Sequence, residues 1–351
     1  MRALPIRGRG AADNPANRFT EIRCDPDPEE GRPVEAPRTR FFEDRTRSIL
    51  SHNDSPDVGF DVSINPYRGC EVGCAYCYAR TFHEYLGFSA GLDFETRILV
   101  KRDAPALLRD ALARPSWQPQ VIALSGATDP YQPIERSLEI TRGCLEVLAE
   151  ARNPVAIVTK RHLVVRDADL LSDLAAGNAA SVRVSITTLD PGLQRIMEPR
   201  GAAPYRRLDA IARLADAGVP VGVNVAPLIP GLTDHEVPAI LEAASEAGAT
   251  SAAFILLRLP TGVDELFRSW LERHVPDRAG KVLGLIRSTR GGRLYDGRFR
   301  VRGRGEGPYA DHLRGLFRVA AERAGLCAGL PEMSTGGFRP PRRGPQLSLF
   351  D

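Results

Sequence analysis

No stretch of this 351-residue chain is apolar for long enough to cross a bilayer, and its first residues, MRALPIRGRG, lack the apolar run of a secretory leader. Both absences point to a soluble protein outside the membrane. Cysteine is scarce: six in the whole chain are too few for a disulfide framework. Three of them, Cys70, Cys74 and Cys77, fall within eight positions, which points to metal ligation in a reducing compartment, the cytoplasm. A second Cys-x-x-Cys knuckle is missing, so cysteine does not complete the four-ligand pattern of a structural zinc site. A large charge of one sign is also lacking, and a formal net charge of +3 predicts no polyanion partner by itself. The charge is unevenly spread, however: from Arg287 onward there are thirteen Arg against six acids, a net of +7. Nearly all the basic residues are Arg, which genome composition can produce as readily as a need for forked donors.

At 38.3 kDa the chain can bury a sizeable core, as one large α/β domain or two smaller ones. Residues 1–60 are rich in Pro, Gly and both charges and show no apolar period, so an extended or disordered arm is expected. "VSIN" before the cysteines and then "VIALSG", "VAIVTK", "VRVSIT", "VGVNVAPL" and "AAFILL" are short apolar runs suited to strands buried on both faces. Helical stretches lie between the later ones, two of them ending in Gly218 and Gly248. Strand, helix and strand at this spacing predict parallel crossover units. Six of them make an open α/β barrel over residues 61–262. A helical and then Arg-rich extension follows over 263–335, and a Pro/Arg tail over 336–351.

The stretch "RGCEVGCAYCYAR" spaces its thiols C-x3-C-x2-C, with Gly69 and Gly73 beside two of them, as in a loop that wraps something closely. Zinc would have to borrow His83 as a fourth ligand, and a non-catalytic, zinc-stabilised DNA- or clamp-binding module is the alternative that site supports. Buried unpaired thiols are the blandest possibility. Three thiolates also suit a [4Fe–4S] cluster with one iron left free of protein ligands. On Cys70, Cys74, Tyr76 and Cys77 the sequence resembles the radical S-adenosylmethionine (SAM) superfamily, whose signature is C-x3-C-x-aromatic-C. The resemblance implies a partial (β/α)6 TIM-like barrel, a [4Fe–4S] cluster and SAM as cofactors, and an external electron donor such as flavodoxin or ferredoxin. It also implies one-electron cleavage of SAM to a 5′-deoxyadenosyl radical that abstracts hydrogen from a substrate.

The same resemblance suggests where SAM lies. Gly126, Thr128 and Asp129 in "GATDP" fall where the superfamily receives the SAM amino group, although a turn capped by Asp129 explains that residue too. Lys160, Ser185 and Thr187 at the ends of the next strands correspond to contacts with the carboxylate and ribose, with a solvated strand-end lysine as the other possibility for Lys160. Arg200 in "MEPRG" offers a fork to a carboxylate, or pairs with Glu198 or a helix carbonyl. The loop from Val225 to Asp234, including Pro227, resembles the one that cradles adenine, and its Pro and Gly equally suit a tight turn.

Within the superfamily the barrel region, Ile64 to Leu259, is similar to the DNA-repair enzyme spore photoproduct lyase, a carbon–carbon lyase. The likeness includes a tyrosine pair around the last cysteine, Tyr76 and Tyr78, the catalytic candidates. "INPYRGC", "LDFETRILVK" and "TDPYQPIE" resemble uncharacterised bacterial relatives of that enzyme more specifically. One departure stands out: photoproduct lyases carry a hydrogen-returning cysteine where Gly126 or Ala127 falls here. Cys144 fits helix packing and Cys327 a helix end, and either could substitute as a donor. The C-terminal "QLSLF" resembles the pentapeptide that docks on the bacterial sliding clamp. Leu347, Leu349 and Phe350 would enter a groove and Gln346 would supply an orienting amide, unless the tail folds back on its own domain. Arg287 to Arg304, with seven arginines and Tyr295 and Phe299 interleaved, suits phosphate contacts and base stacking or a merely solvated surface. DNA is thus the expected partner, with a protein or small-molecule substrate as the alternative.

Overall fold

The computed structural model describes residues 6–19 and 37–342. In chain order its strands are β1 (Arg40–Glu43), β2 (Leu50–His52), β3 (Val62–Ile64), β4 (Tyr67–Arg68), β5 (Arg97–Val100), β6 (Ile122–Leu124), β7 (Val155–Thr159), β8 (Ala180–Ser185), β9 (Val221–Leu228) and β10 (Ser251–Leu256). Six of them, β3 and β6 to β10, pair in parallel and in sequence order, with β2 antiparallel on the outer edge of β3. The barrel is open, since β2 and β10 are the two ends of the sheet. These are the six units expected from the sequence. Most of their Val and Ile side chains are buried, on both faces of the sheet, which favours β-branched residues in a parallel sheet.

Crossover helices cover the outside with one apolar stripe each. In the helix Pro204–Asp216 the buried positions are Pro204, Arg207, Ala210, Ile211 and Leu214, a helical period whose odd member is an arginine. The long connection between β3 and β6 holds the cysteines and the strands β4 and β5, which with β1 form a second, three-stranded sheet of order β1-β5-β4.

Two regions depart from expectation. The arm is partly built into the fold: β1 pairs in parallel with β5, β2 pairs with β3, and residues 9–11 dock on Glu95. Strands of four and three residues with exposed faces carry no apolar period, which hides them from sequence reading. Nor does the packing break after residue 262. In the helix Pro308–Arg323, Leu313, Phe317, Ala320 and Ala321 join the barrel's own core, and the Phe317 ring lies 4.7 Å from that of Phe254. Among the described residues no helix is long and apolar enough to cross a membrane.

Candidate functional site

β4 runs directly into the cysteine loop, and two glycines let that loop turn tightly. Gly69 and Gly73 both have positive φ, +77° and +68°. A Cβ on Gly73 would lie 2.6 Å from Glu95 Oε2, and one on Gly10 would lie 1.9 Å from the Gly73 carbonyl oxygen, so bare backbone is required on both sides. Glu95 is the fixed point: fully buried, it accepts the Gly10 and Ala11 amides at 3.0 and 2.8 Å and an Arg80 N–H at 2.5 Å. Arg80, also buried, donates to the carbonyls of Cys74, Ala90 and Gly91. A buried ion pair keeps its place only when its remaining donors are satisfied, and here they hold the loop that carries the thiols.

The stretches "INPYRGC" and "TDPYQPIE" prove to be the scaffold that joins this loop to the turn after β6. Asn65 Oδ1 accepts the amides of Ala127 and Thr128, and the Tyr67 hydroxyl donates to Glu135. The Glu71 amide donates to Gln132 Oε1 at 3.0 Å, and the Glu71 carboxylate accepts the Ile134 amide. Each bond crosses about sixty positions of sequence, so neither loop is shaped by local sequence alone.

Cys70, Cys74 and Cys77 line one cavity of about 280 Å³ at the C-terminal ends of the barrel strands. All three are unpaired thiols. Burial raises the pKa of each thiol above its ordinary value, so a cation that binds them as thiolates displaces protons. Among the described residues no three His, Cys, Asp or Glu side chains form a single-ion site. Thiols that share a cavity without converging on one point fit a polynuclear cluster, in which each thiolate takes its own iron. His83 does not join them: it is buried between Phe88 and Phe94, its Nε2 has no hydrogen-bond partner, and burial lowers its pKa to about 4. The zinc alternative with His83 as fourth ligand therefore finds no support in the geometry.

The polar end of the cavity is built on a buried carboxylate. Glu198 pairs with Arg207, accepts the Tyr76 hydroxyl, accepts the Thr187 hydroxyl at 2.9 Å and lies 3.3 Å from Lys160 Nζ. Burial alone would raise its pKa, but the charges of Arg207 and Lys160 outweigh that and hold it at about 2. Lys160 Nζ also donates to the Ala226 carbonyl at 2.8 Å and lies 5.8 Å from the centroid of the Tyr76 ring. Lys160 is thus a charge held over the cavity by fixed partners.

The other predicted residues divide clearly. Tyr76, Tyr78, Gly126, Thr128, Asp129, Lys160, Ser185 and Pro227 line the cavity with the cysteines. Asp129 spends both carboxylate oxygens on its own scaffold, accepting the Tyr131 amide, the Thr159 hydroxyl at 2.7 Å and the Lys160 amide at 2.8 Å, as the turn-capping alternative describes. Val225 is a core side chain outside the lining. Arg200 also lies outside: its guanidinium turns to Glu71 at 2.9 Å and Thr39 at 3.4 Å, not to Glu198. The reason is that Glu198 is already committed to Arg207. Cys144 is buried on its helix and Cys327 exposed, and neither lines the cavity. Sequence reading missed Asn65, Glu71, Glu95 and Arg207. Only Arg207 left a signal, a charge in phase with an apolar helical stripe.

Arg258 and the Arg-rich segment border the mouth. The Arg258 guanidinium lies 4.7 Å from the centroid of the Tyr78 ring, and the Tyr78 hydroxyl donates to the Gly126 carbonyl at 2.6 Å. Arg302 pairs with Asp57, next to Val58 on the cavity rim. Of the seven arginines from 287 to 304, Arg290 is buried and donates to the carbonyls of Val301 and Leu257, while Arg298 is tied to Asp296 and Glu306. Arg287, Arg300 and Arg304 are exposed, as is Phe299. The clamp-like peptide, Gln346 to Phe350, lies outside the described residues.

Comparison with known proteins accords with this geometry. Residues 64–244 match the family model described as the radical SAM superfamily. An uncharacterized protein of Mycobacterium tuberculosis is 37% identical over 264 residues, 73% of this chain and 77% of that one. A radical SAM Nalpha-GlyT isomerase of Pseudomonas phage M6 is 25% identical over 206 residues, 58% of this chain and 41% of that one. Among solved structures, spore photoproduct lyase complexed with dinucleoside spore photoproduct superposes with a TM-score of 0.56 at 17% identity, covering 82% of this chain and 80% of that one. The cofactors of the matched family are a [4Fe–4S] cluster and SAM, and the three-thiol cavity fits the first of them. With the signature cysteines, the open parallel barrel and a family match over more than half its length, the chain belongs to the radical SAM superfamily.

Proposed function

We propose that the protein is a radical SAM enzyme acting on nucleic acid, with a lyase-like reaction on a damaged or modified nucleotide. The observation that carries this is the meeting of a three-thiol cavity and an arginine-bearing rim at one end of the barrel. Cys70, Cys74 and Cys77 would hold the cluster, and Lys160, Ser185 and the Ala226–Pro227 segment line the space beside them for SAM. Bound there, these cofactors supply one-electron cleavage of SAM and the hydrogen abstraction that follows. The chain's own residues orient and exclude water. Lys160 offers a held ammonium to a carboxylate, the Glu198–Arg207 pair fixes Lys160 and Tyr76, and the buried walls keep stray hydrogen donors out.

No cysteine stands at Gly126, so return of hydrogen from a thiol at that position is not part of the proposal. The hydroxyl that stands there is Tyr78's, on the Gly126 carbonyl, and Tyr78 is the group we assign to hydrogen return. It would give its phenolic hydrogen atom to the product radical, and one electron from the external carrier with one proton from solvent would restore it. The clamp-like peptide supports a role at DNA: deleting residues 346–351 is expected to abolish affinity for purified sliding clamp, and unchanged affinity would refute that part.

The test is anaerobic reconstitution followed by SAM and dithionite, with damaged and modified oligonucleotides as substrates. The expected result is 5′-deoxyadenosine above a Cys77→Ala control, carrying deuterium from a labelled oligonucleotide. Label taken instead from a peptide or metabolite pool would overturn the nucleic-acid assignment and leave the radical chemistry in place.

A further inference from the structure

An electron must reach the cysteine loop from outside the chain, and the three-stranded sheet behind that loop presents a surface suited to deliver it. Among the described residues β1 is an edge strand, hydrogen-bonded only to β5, and all four of its residues are exposed. Phe41 and Phe42 stand 43% and 39% exposed on it, an unusual place for two adjacent large apolar side chains. Among the described residues, Arg38, Arg40, Arg45, Arg47, Arg68 and Arg97 stand on or beside β1 and β5 against Glu43, Asp44 and Asp93, which pair with Arg45, Arg68 and Arg97. Arg40 and Arg97 are register partners across the β1–β5 pair, so two of these guanidinium groups share one stretch of the sheet with Phe42.

From that surface a continuous run of rings leads inward. The Phe42 and Phe88 centroids are 6.2 Å apart, Phe88 stacks on His83 at 5.1 Å, and His83 meets the buried Phe94 edge-on at 5.7 Å. The Phe94 carbonyl then accepts the Cys70 amide at 2.8 Å. Each of these pairs lies within the roughly 4.5–7 Å centroid range of packed aromatic rings. Arg97 caps the outer end, with its guanidinium 5.2 Å from the Phe88 centroid. The opposite face of the loop is the cavity itself, which SAM and substrate would fill. This back face combines access from solvent, positive charge and packed rings ending at the first cysteine.

We propose that the free edge of β1, from Arg38 to Arg47, is the docking site for an acidic one-electron carrier protein, and that Phe42, Phe88, His83 and Phe94 form the packed path from it to Cys70. The proposal rests on the radical SAM assignment. One electron leaves the carrier, which is oxidised by one unit, and the cluster held by the cysteines is reduced by one; no bond or proton moves. Charge complementarity selects the carrier and sets the encounter rate, and exposed Phe42, on the sheet face it shares with Arg40 and Arg97, gives the contact an apolar centre.

Flavodoxin photoreduced to its hydroquinone is the probe. Mixed with the reconstituted protein in stopped flow, it is expected to reduce the cluster about tenfold more slowly when Arg40→Glu and Arg47→Glu are combined, with the difference shrinking as salt rises. Phe42→Ala is expected to slow the same step several-fold. Dithionite, which needs no docking surface, should reduce all variants at the wild-type rate and serves as the folding control. Titration with oxidised flavodoxin, which requires no cluster, should show the same loss of affinity. Equal flavodoxin-driven rates and affinities in wild type and variants would overturn the proposal, as would loss of oligonucleotide binding with carrier binding intact. A wild-type protein that takes up no iron would instead sink the radical SAM chemistry, and the oxidised-flavodoxin titration would still decide the surface.

Discussion

The cysteine loop, residues 65–80, and the Arg-rich loop, residues 289–305, are both glycine-punctuated and both carry arginines, yet they use them in opposite ways. In the first, Arg80 is fully buried and its donors are spent on Cys74, Ala90, Gly91 and Glu95. In the second, Arg290 is treated so, while Arg300 and Arg304 meet solvent, as does Arg287 on the helix just ahead of the loop. Buried charge fixes a geometry because breaking one partner strands the other; exposed charge fixes nothing and is available to a ligand. The two loops differ in what surrounds them, and composition does not record that.

The sharpest contrast comes from chemistry. Cys77→Ala is expected to abolish iron uptake on anaerobic reconstitution, measured by iron and sulfide content, while Arg300→Ala leaves it unchanged. Next is stability: Glu198→Ala strands Arg207 in the core and should cost about 3–5 kcal/mol in denaturant unfolding. A loss below about 1 kcal/mol would show that the buried network is not the anchor described here.

A pH titration comes third. An unfolded imidazole gains a proton below about 6.5, whereas the buried His83 resists until about 4, so stability is complete above that window and falls through it as pH drops. The expected loss is on the order of 3 kcal/mol, and His83→Phe should flatten it. Gly73→Ala is smaller, about 1–3 kcal/mol from positive φ and the Glu95 contact, visible as a lowered melting temperature. Smallest of all, the triple Ala variant of Arg287, Arg300 and Arg304 should change stability by less than about 0.5 kcal/mol. In compensation it should reduce the salt slope of oligonucleotide binding by about 2. A slope that stays the same would place the nucleic-acid face elsewhere.

What was legible in the sequence follows the same physical line. The six barrel strands could be read because burial on both faces demands Val and Ile in short runs. The cysteine spacing could be read because thiolates on a cluster must come from one tight loop. β1 could not, since it is exposed on all four positions and is set in the sheet by backbone pairing with β5. Glu95 could not, because its partners Arg9, Gly10 and Ala11 lie more than eighty positions away. Arg200 looked like a ligand for an anion, and the structure shows it turned to Glu71, one residue after the first cysteine. Only Arg207, in phase with Ala210, Ile211 and Leu214, offered a clue that periodicity could have used.

The contact between Gly10 and Gly73 sets a rule for anyone diversifying this protein. A Cβ at Gly10 would strike the Gly73 backbone and one at Gly73 would strike the Glu95 carboxylate that accepts the Gly10 amide, so a side chain added at one is not relieved by a change at the other. A library randomised at both should return glycine at both, and the stretch ahead of the barrel should be inherited with the cysteine loop when pieces of related genes are shuffled.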